Sequence, residues 1–404
     1  MTAKRVSLAD AARALGGLPT AEEEVWRYSR IDELDLDAFA CSPPVPVPPA
    51  DAHELMNGHI GAALATVPER AATVVLADGG SMDAEVDDPD ITVTIEETST
   101  SEHEPTDVFF RLNDELARQR VIITVPAGKV IERPIVVAHW ISTSGIATFP
   151  RTVVRLGEGA HAQVVEYHAS PDDVHALTMP VVELDVAQAA VLGYVNAQNL
   201  GLQTWQLASQ VSRVERDATL TSALAGFGGD YARQRTDCRL VGRGATGNLL
   251  AVYFGEEDQT LDFRTFQDHA APDTTSNLLF KGAVGGHSRS VYTGLIRVRK
   301  NARGTNAIQT NRNIKLSEHA WAESVPNLEI ENNDVRCAHA SAVGPIDEDQ
   351  RFYLESRGVP TPIAERLVVT GFFDEVLSHL PVTGAGDALR TLVAGKLDRQ
   401  VGGA

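Results

Sequence analysis

Between residues 121 and about 344 the chain is a succession of short runs rich in Val, Ile, Thr and Leu, with no strong long helix between them. Residues 121–125, 135–138, 152–156, 162–165, 181–186, 191–195 and 290–298 are such runs, and Gly, Pro, Asn or Asp punctuates many of them. A doubly wound parallel sheet needs a helix between successive strands, so that architecture is excluded. A sandwich, a barrel or a β-solenoid remains, and composition does not choose among them. No strict hexapeptide period runs through the segment, so the coils of a solenoid would be irregular.

The flanks have a different texture. Ser7 and Asp10 form a capping box for a short helix over 7–15, stopped by Gly16 and Gly17. Thr20 and Glu23 repeat that signal and predict a second helix through Trp26 and Tyr28. Five prolines between Cys41 and Ala50 read as a stiff, extended linker. Ten acidic residues and no Lys or Arg between Ser81 and Asp107 predict an exposed, mobile connection around a short strand at 91–95. Asp107 then caps a helix carrying Phe109, Leu112 and Leu116 at helical spacing. After Gly344 the pattern turns helical again. Asp347 caps a helix carrying Phe352, Tyr353 and Leu354; Gly358 stops it, and Thr361-Pro362 starts another. Such a helical hairpin can close the open end of a solenoid, or dock a partner.

With 404 residues the chain exceeds one ordinary core, and a formal net charge of -20 makes phosphate backbones and anionic lipid poor partners. No apolar run is long enough for a signal peptide or a membrane span. Cys41, Cys238 and Cys337 are far apart and odd in number, which is no disulfide framework and points to a reducing cytoplasm.

Cys337 and His339 stand two apart in a strand-like segment, NDVRCAHASAV, so alternation sends both side chains to one face. A thiolate beside an imidazole suits iron, zinc or copper. Two ligands are too few for a closed metal site or an iron–sulfur cluster, and no other cysteine is near. The missing ligands are therefore expected from another chain, at an interface. His161 and His168, seven apart, fall on opposite strand faces and make no pair; His269, His287 and His319 read as surface or structural. The glycines of KGAVGGHS lack the lysine of a phosphate-binding loop, so nucleotide hydrolysis is assigned to a partner.

The segments PNLEIENNDVRCAHASAVGPID (326–347), FYLESRG (352–358) and VTGFFDEV (369–376) together resemble the SufB/SufD family of iron–sulfur cluster assembly proteins. EEVWRYSRIDEL (23–34), VPAGKVIERPIVV (125–137) and RTVVRLGEGAHAQVVE (151–166) extend the resemblance over most of the chain. It implies a mainly β fold: a right-handed parallel β-helix over 121–344, a helical N-terminal region with its linkers over 1–120, and a C-terminal helical domain over 345–404. It also implies a non-catalytic subunit that pairs with a SufB-type chain and docks the ATPase SufC through its C-terminal helices. A transient cluster would form at the shared interface. His339 matches the histidine that the family assigns to cluster formation there, and Cys337 the cysteine that often precedes it. Thr310 follows Gln309 where SufB carries its acceptor cysteine, and Ala340 follows His339 where SufB carries a glutamate. Both departures favour the SufD branch over a SufB-type scaffold acting as a homodimer. The competing class, a β-helix enzyme acting on carbohydrate or an acyltransferase, would call for carboxylate clusters or a regular repeat.

Overall fold

The computed structural model describes residues 7–41, 58, 60–61, 64–97, 100–382 and 384–402. The prolines expected to form a linker lie outside them.

A four-residue corner recurs through the β region, at 157–160, 187–190, 215–218, 242–245, 271–274 and 302–305. Its third residue has positive φ: Gly159 64°, Ala189 57°, Asp217 54°, Gly244 73°, Asp273 58° and Gly304 72°. Its fourth residue (Ala160, Ala190, Ala218, Ala245, Thr274, Thr305) is buried. The amide of the third residue donates to the matching corner of the next coil, as from Asp217 to the Arg243 carbonyl and from Asp273 to that of Arg303. Coils stack so closely here that a Cβ on Gly244 would lie 2.4 Å from Asp217 Oδ1. These corners hold the strands in register, Thr219 beside Thr246 and Thr246 beside Thr275. The repeat is a whole coil long, and no hexapeptide underlies it.

The result is a parallel β-solenoid with two long faces. The first, a 12-stranded sheet, runs from Trp321–Ile330 through Arg289–Val298, Thr260–His269, Tyr231–Leu240, Thr204–Val214, Val181–Val186 and Arg151–Leu156 to Gln119–Val125. It ends on Thr92–Glu97, which is antiparallel to its neighbour. The second, a 10-stranded sheet, runs from Val335–Pro345 through Thr305–Lys315, Thr275–Val284, Thr246–Gly255, Thr219–Gly226, Val191–Asn199, His161–Ala169 and Ile135–Trp140 to Ala72–Ala77. It ends on the antiparallel strand Gly80–Val86. Inward residues such as Val164, Leu184, Leu192 and Leu220 fill the space between the faces. Each such side chain contributes about 1.5–3 kcal/mol when fully buried.

The short strand expected at 91–95 is present as Thr92–Glu97, and a second strand, Gly80–Val86, opens the acidic stretch, so the stretch is not only a loose connection. Its carboxylates find partners across the sheet edge: Glu96 with Arg120, Asp90 with Lys129 and Asp88 with Arg133.

The N-terminal segment lies on the outer side of the first sheet. Ser7 caps the helix Leu8–Ala14, and Asp107 caps Val108–Leu116, as the sequence predicts. The second predicted helix does not form. Only the short 3-10 turn Glu24–Trp26 is present, and Tyr28 takes a φ of 65°. The cause is tertiary. Buried Arg233 lies 3.8 Å from the Trp26 ring centroid and donates to the Val25 carbonyl, while buried Arg264 donates to that of Arg27. Those carbonyls are taken by guanidinium groups, where a helix would bond them to its own amides.

The C-terminal helices are Glu348–Ser356, capped by Asp347, then Thr361–Leu377 and Ala385–Gly402. They do not close the end of the solenoid. Val369, Phe373, Val376, Leu389, Val393 and Leu397 pack on the outer face of the second sheet, against Val252, Phe254 and Ala283. Buried Lys396 pairs with Glu256, and Lys281 with Glu375. The outward row of these strands is apolar, and the helices cover it and leave the last coil open.

Candidate functional site

Val335–Pro345 is the last strand of its sheet, hydrogen-bonded on one side only, by Thr305–Lys315. Cys337 stands beside Ala307 and His339 beside Gln309. Ala307 and Gln309 are buried, so Cys337 and His339 continue the inward-facing row, on one face as the spacing predicts. They differ in surroundings. Cys337 is half-buried and packs against Ile296, Val298, Ala302 and Ala307. His339 is exposed at the mouth. Burial pushes the Cys337 thiol up, so a metal or a partner's cation must displace its proton before it can act as a ligand.

The strand around them has an unusual surface for a free edge. Ala338, Ala340, Ser341, Ala342 and Val343 are exposed, and Arg336 is the strand's one charged residue. Natural edges are commonly protected by charge or by an antiparallel cover. This one has a single charge, Arg336, and no antiparallel cover, and its backbone groups are free on one side to pair with another strand.

A second exposed apolar area lies on the C-terminal helices. Glu348–Ser356 buries none of its residues. Phe352 is 70% exposed and Tyr353 58%, next to Ile363 at 51% and Leu367 at 50% on the following helix. Beside them opens a groove of about 1050 Å³ lined by Lys281, Arg312, Tyr353, Leu367, Phe372 and Glu375. Large apolar side chains clustered at this exposure are uncommon on the free surface of a folded protein.

The other histidines that the sequence singled out separate into three cases. His269 is fully buried at the end of Thr260–His269, where its ring nitrogens meet Thr274 and Ser276 at 2.8 and 2.9 Å; burial pushes it down to about 4. It is structural, although its sequence neighbours look like a loop. His287 and His319 stack at 5.1 Å. His161 is exposed and His168 buried, on opposite faces as expected.

His168 nevertheless belongs to a group that sequence reasoning missed. It stands beside His139 on the neighbouring strand, and Glu166 lies two residues before it on the same inward face. His139, Glu166 and His168 are 3%, 1% and 1% exposed. Glu166-x-His168 carries the alternation signal, but His139 joins only through the coil register.

Comparison with known proteins bears on the whole chain. The family model described as SUF system FeS cluster assembly, SufBD core domain, matches residues 139–372. An iron–sulfur cluster assembly SufBD family protein of Mycobacterium tuberculosis is 34% identical over 285 residues, 69% of this chain and 71% of that protein. The iron–sulfur cluster assembly protein SufD of Escherichia coli is 27% identical over 375 residues, 90% of this chain and 86% of that protein. A chloroplastic Arabidopsis thaliana protein, ABCI7, is 28% identical over 302 residues, 72% and 63% of the two chains. Among the described residues no helix is long and apolar enough to cross a membrane.

Proposed function

The chain belongs to the SufBD family of the SUF system for iron–sulfur cluster assembly, and from that premise we propose that it is the SufD-type, non-catalytic subunit of a three-component assembly complex. Its last coil pairs with the matching coil of a SufB-type chain, and its exposed C-terminal helices hold a SufC-type ATPase. The observation that carries this reading is the uncovered strand Val335–Pro345. It is an edge with one charged residue, Arg336, and it carries both His339 and Cys337, which supports a ligand set completed by a second chain.

In that arrangement His339 is a ligand or a proton-handling group for the nascent cluster, which is cargo and not a resident cofactor. Cys337, with its thiol pushed up by burial, is an auxiliary ligand that ionises only when iron is present. Thr310 supplies no thiolate, so the acceptor sulfur comes from the partner. The aromatic patch of Phe352 and Tyr353 is the contact for the ATPase. ATP-driven closure of two ATPases would reach the solenoid through the helices that Lys281 and Glu256 fasten to its flank. In terms of regions, 121–344 carries the interface, 345–404 docks the ATPase, and within 1–120 the helices Leu8–Ala14 and Val108–Leu116 brace the opposite flank.

The test is co-expression with SufB-type and SufC-type proteins, with and without His339→Ala, reading complex assembly and iron–sulfur absorbance. Intact assembly with lost cluster is the expected result. Failure to recover either partner with the wild-type chain refutes the pairing, and unchanged cluster content in His339→Ala removes this residue from the site.

A further inference from the structure

The closed half of the solenoid interior contains a constellation that the interfacial reading does not use. His139 Nε2 lies 2.8 Å from Glu166 Oε1, and His168 Nε2 lies 3.4 Å from the same oxygen. The two imidazoles belong to neighbouring coils and stack with centroids 4.5 Å apart and planes 8° from parallel. The carboxylate is held from its other sides: Thr152 donates to Oε1 at 3.0 Å and the Tyr194 hydroxyl donates to Oε2 at 2.7 Å.

Two features do not fit a finished hydrogen-bonded core. His168 Nε2 faces the carboxylate yet makes no hydrogen bond, and His139 Nδ1 is equally without a partner. Buried polar atoms left in this way cost about 1–3 kcal/mol each.

We propose that His139, Glu166 and His168 bind one divalent transition-metal ion of the zinc or ferrous class inside the solenoid. Two imidazoles and one carboxylate are a donor set that these ions accept. Ligands at 2.0–2.1 Å around a tetrahedral ion stand about 3.3 Å apart, and the two nitrogen–oxygen separations of 2.8 and 3.4 Å bracket that spacing. The three ligand atoms already lie within 4.8 Å of one another, so a small tilt of the stacked rings closes the set. Thr152 and Tyr194 orient the carboxylate from behind, the usual role of groups around metal ligands. Because every donor is buried, the ion enters as the coils close and ties one coil to the next, at a site separate from the open mouth.

The full-length protein, purified from cells grown with added zinc or added iron and dialysed against EDTA, tests this by elemental analysis. One equivalent of zinc or iron per chain is expected, and which metal is retained identifies the ion. His168→Gln and Glu166→Gln should lose it, whereas Cys337→Ser with His339→Ala should keep it. A spectroscopic arm does not depend on those variants folding. Wild-type protein unfolded in chelator and refolded with cobalt(II) should show the visible bands of a nitrogen- and oxygen-ligated tetrahedral ion and melt at a higher temperature than the metal-free protein. Less than a tenth of an equivalent in the native protein, together with colourless cobalt refolding, would overturn the proposal and leave a hydrogen-bonded core. Metal that persists in His168→Gln would overturn it equally.

Discussion

The two ends of the solenoid solve the same problem in opposite ways. At the N-terminal end, Thr92–Glu97 and Gly80–Val86 turn antiparallel and cover the first coils. Asp83, Glu85, Glu96 and Glu97 place charge on the strands left outermost, which discourages pairing with another chain. At the C-terminal end, Trp321–Ile330 and Val335–Pro345 simply stop. Around His339 the second of these strands carries small uncharged residues, with Arg336 its one charge, while the first carries Glu323, Pro326 and Glu329; the helices that follow run along the flank. One end is covered by antiparallel strands of the chain itself, and the other has no such cover. A β-solenoid depends only on neighbour-to-neighbour stacking, so an unfinished end does not undermine the coils behind it.

The comparison breaks most severely if the closed half proves no more sensitive than the mouth. Leu184→Ala, in the closed interior, should cost about 2–5 kcal/mol, and Val343→Ala, 42% exposed at the mouth, less than about 0.5 kcal/mol. Urea unfolding of both variants reads the difference, and equal costs would dismiss it. A pH titration probes the interior next. His269 is pushed from 6.5 down to about 4 by burial, so the native state takes up its proton later than the unfolded chain. Stability is full above pH 6.5 and should fall by about 3 kcal/mol as pH drops from 6.5 to 4. In His269→Gln this component should vanish from unfolding curves measured across that range. At the mouth, Ala338→Lys with Ala340→Lys adds edge charge. Affinity for a SufB-type chain should drop about tenfold or more, roughly 1.4 kcal/mol, with an unchanged melting temperature. A loss of stability instead would mean that the last coil was never a free surface. The smallest effect concerns the corners that both halves share. Ala189 adopts a φ of 57°, which costs a residue bearing a Cβ about 1–2 kcal/mol. Ala189→Gly should recover about 0.5–1 kcal/mol in thermal unfolding after its entropic cost is deducted.

What the sequence disclosed follows from how local each feature is. Ser7, Asp107 and Asp347 satisfy amides within three residues, and each caps its helix as predicted. Thr20 and Glu23 carry the same signal, and Glu23 does accept from the Thr20 amide at 3.1 Å. Arg233 and Arg264, some two hundred residues away, nevertheless decide the backbone after it. The corner repeat escaped notice because its left-handed position alternates among Gly, Ala and Asp, three residues with different side chains and one backbone task. Alternation alone put Cys337 and His339 on one face. Their place at an open edge emerges only when the coils are counted to the end, and His139 reaches Glu166 only across one full coil. The flank position of the C-terminal helices was hidden too, because an apolar helix face does not say which of two apolar surfaces it will cover.

The fastening of those helices has a mechanical consequence. Lys281 donates to the Phe372 carbonyl at 2.9 Å and pairs with Glu375, while Arg399 and Lys396 grip Glu256. A load applied at Phe352 and Tyr353 therefore enters the wall at the middle of the stack, on strands Thr246–Gly255 and Thr275–Val284, and not at its rim.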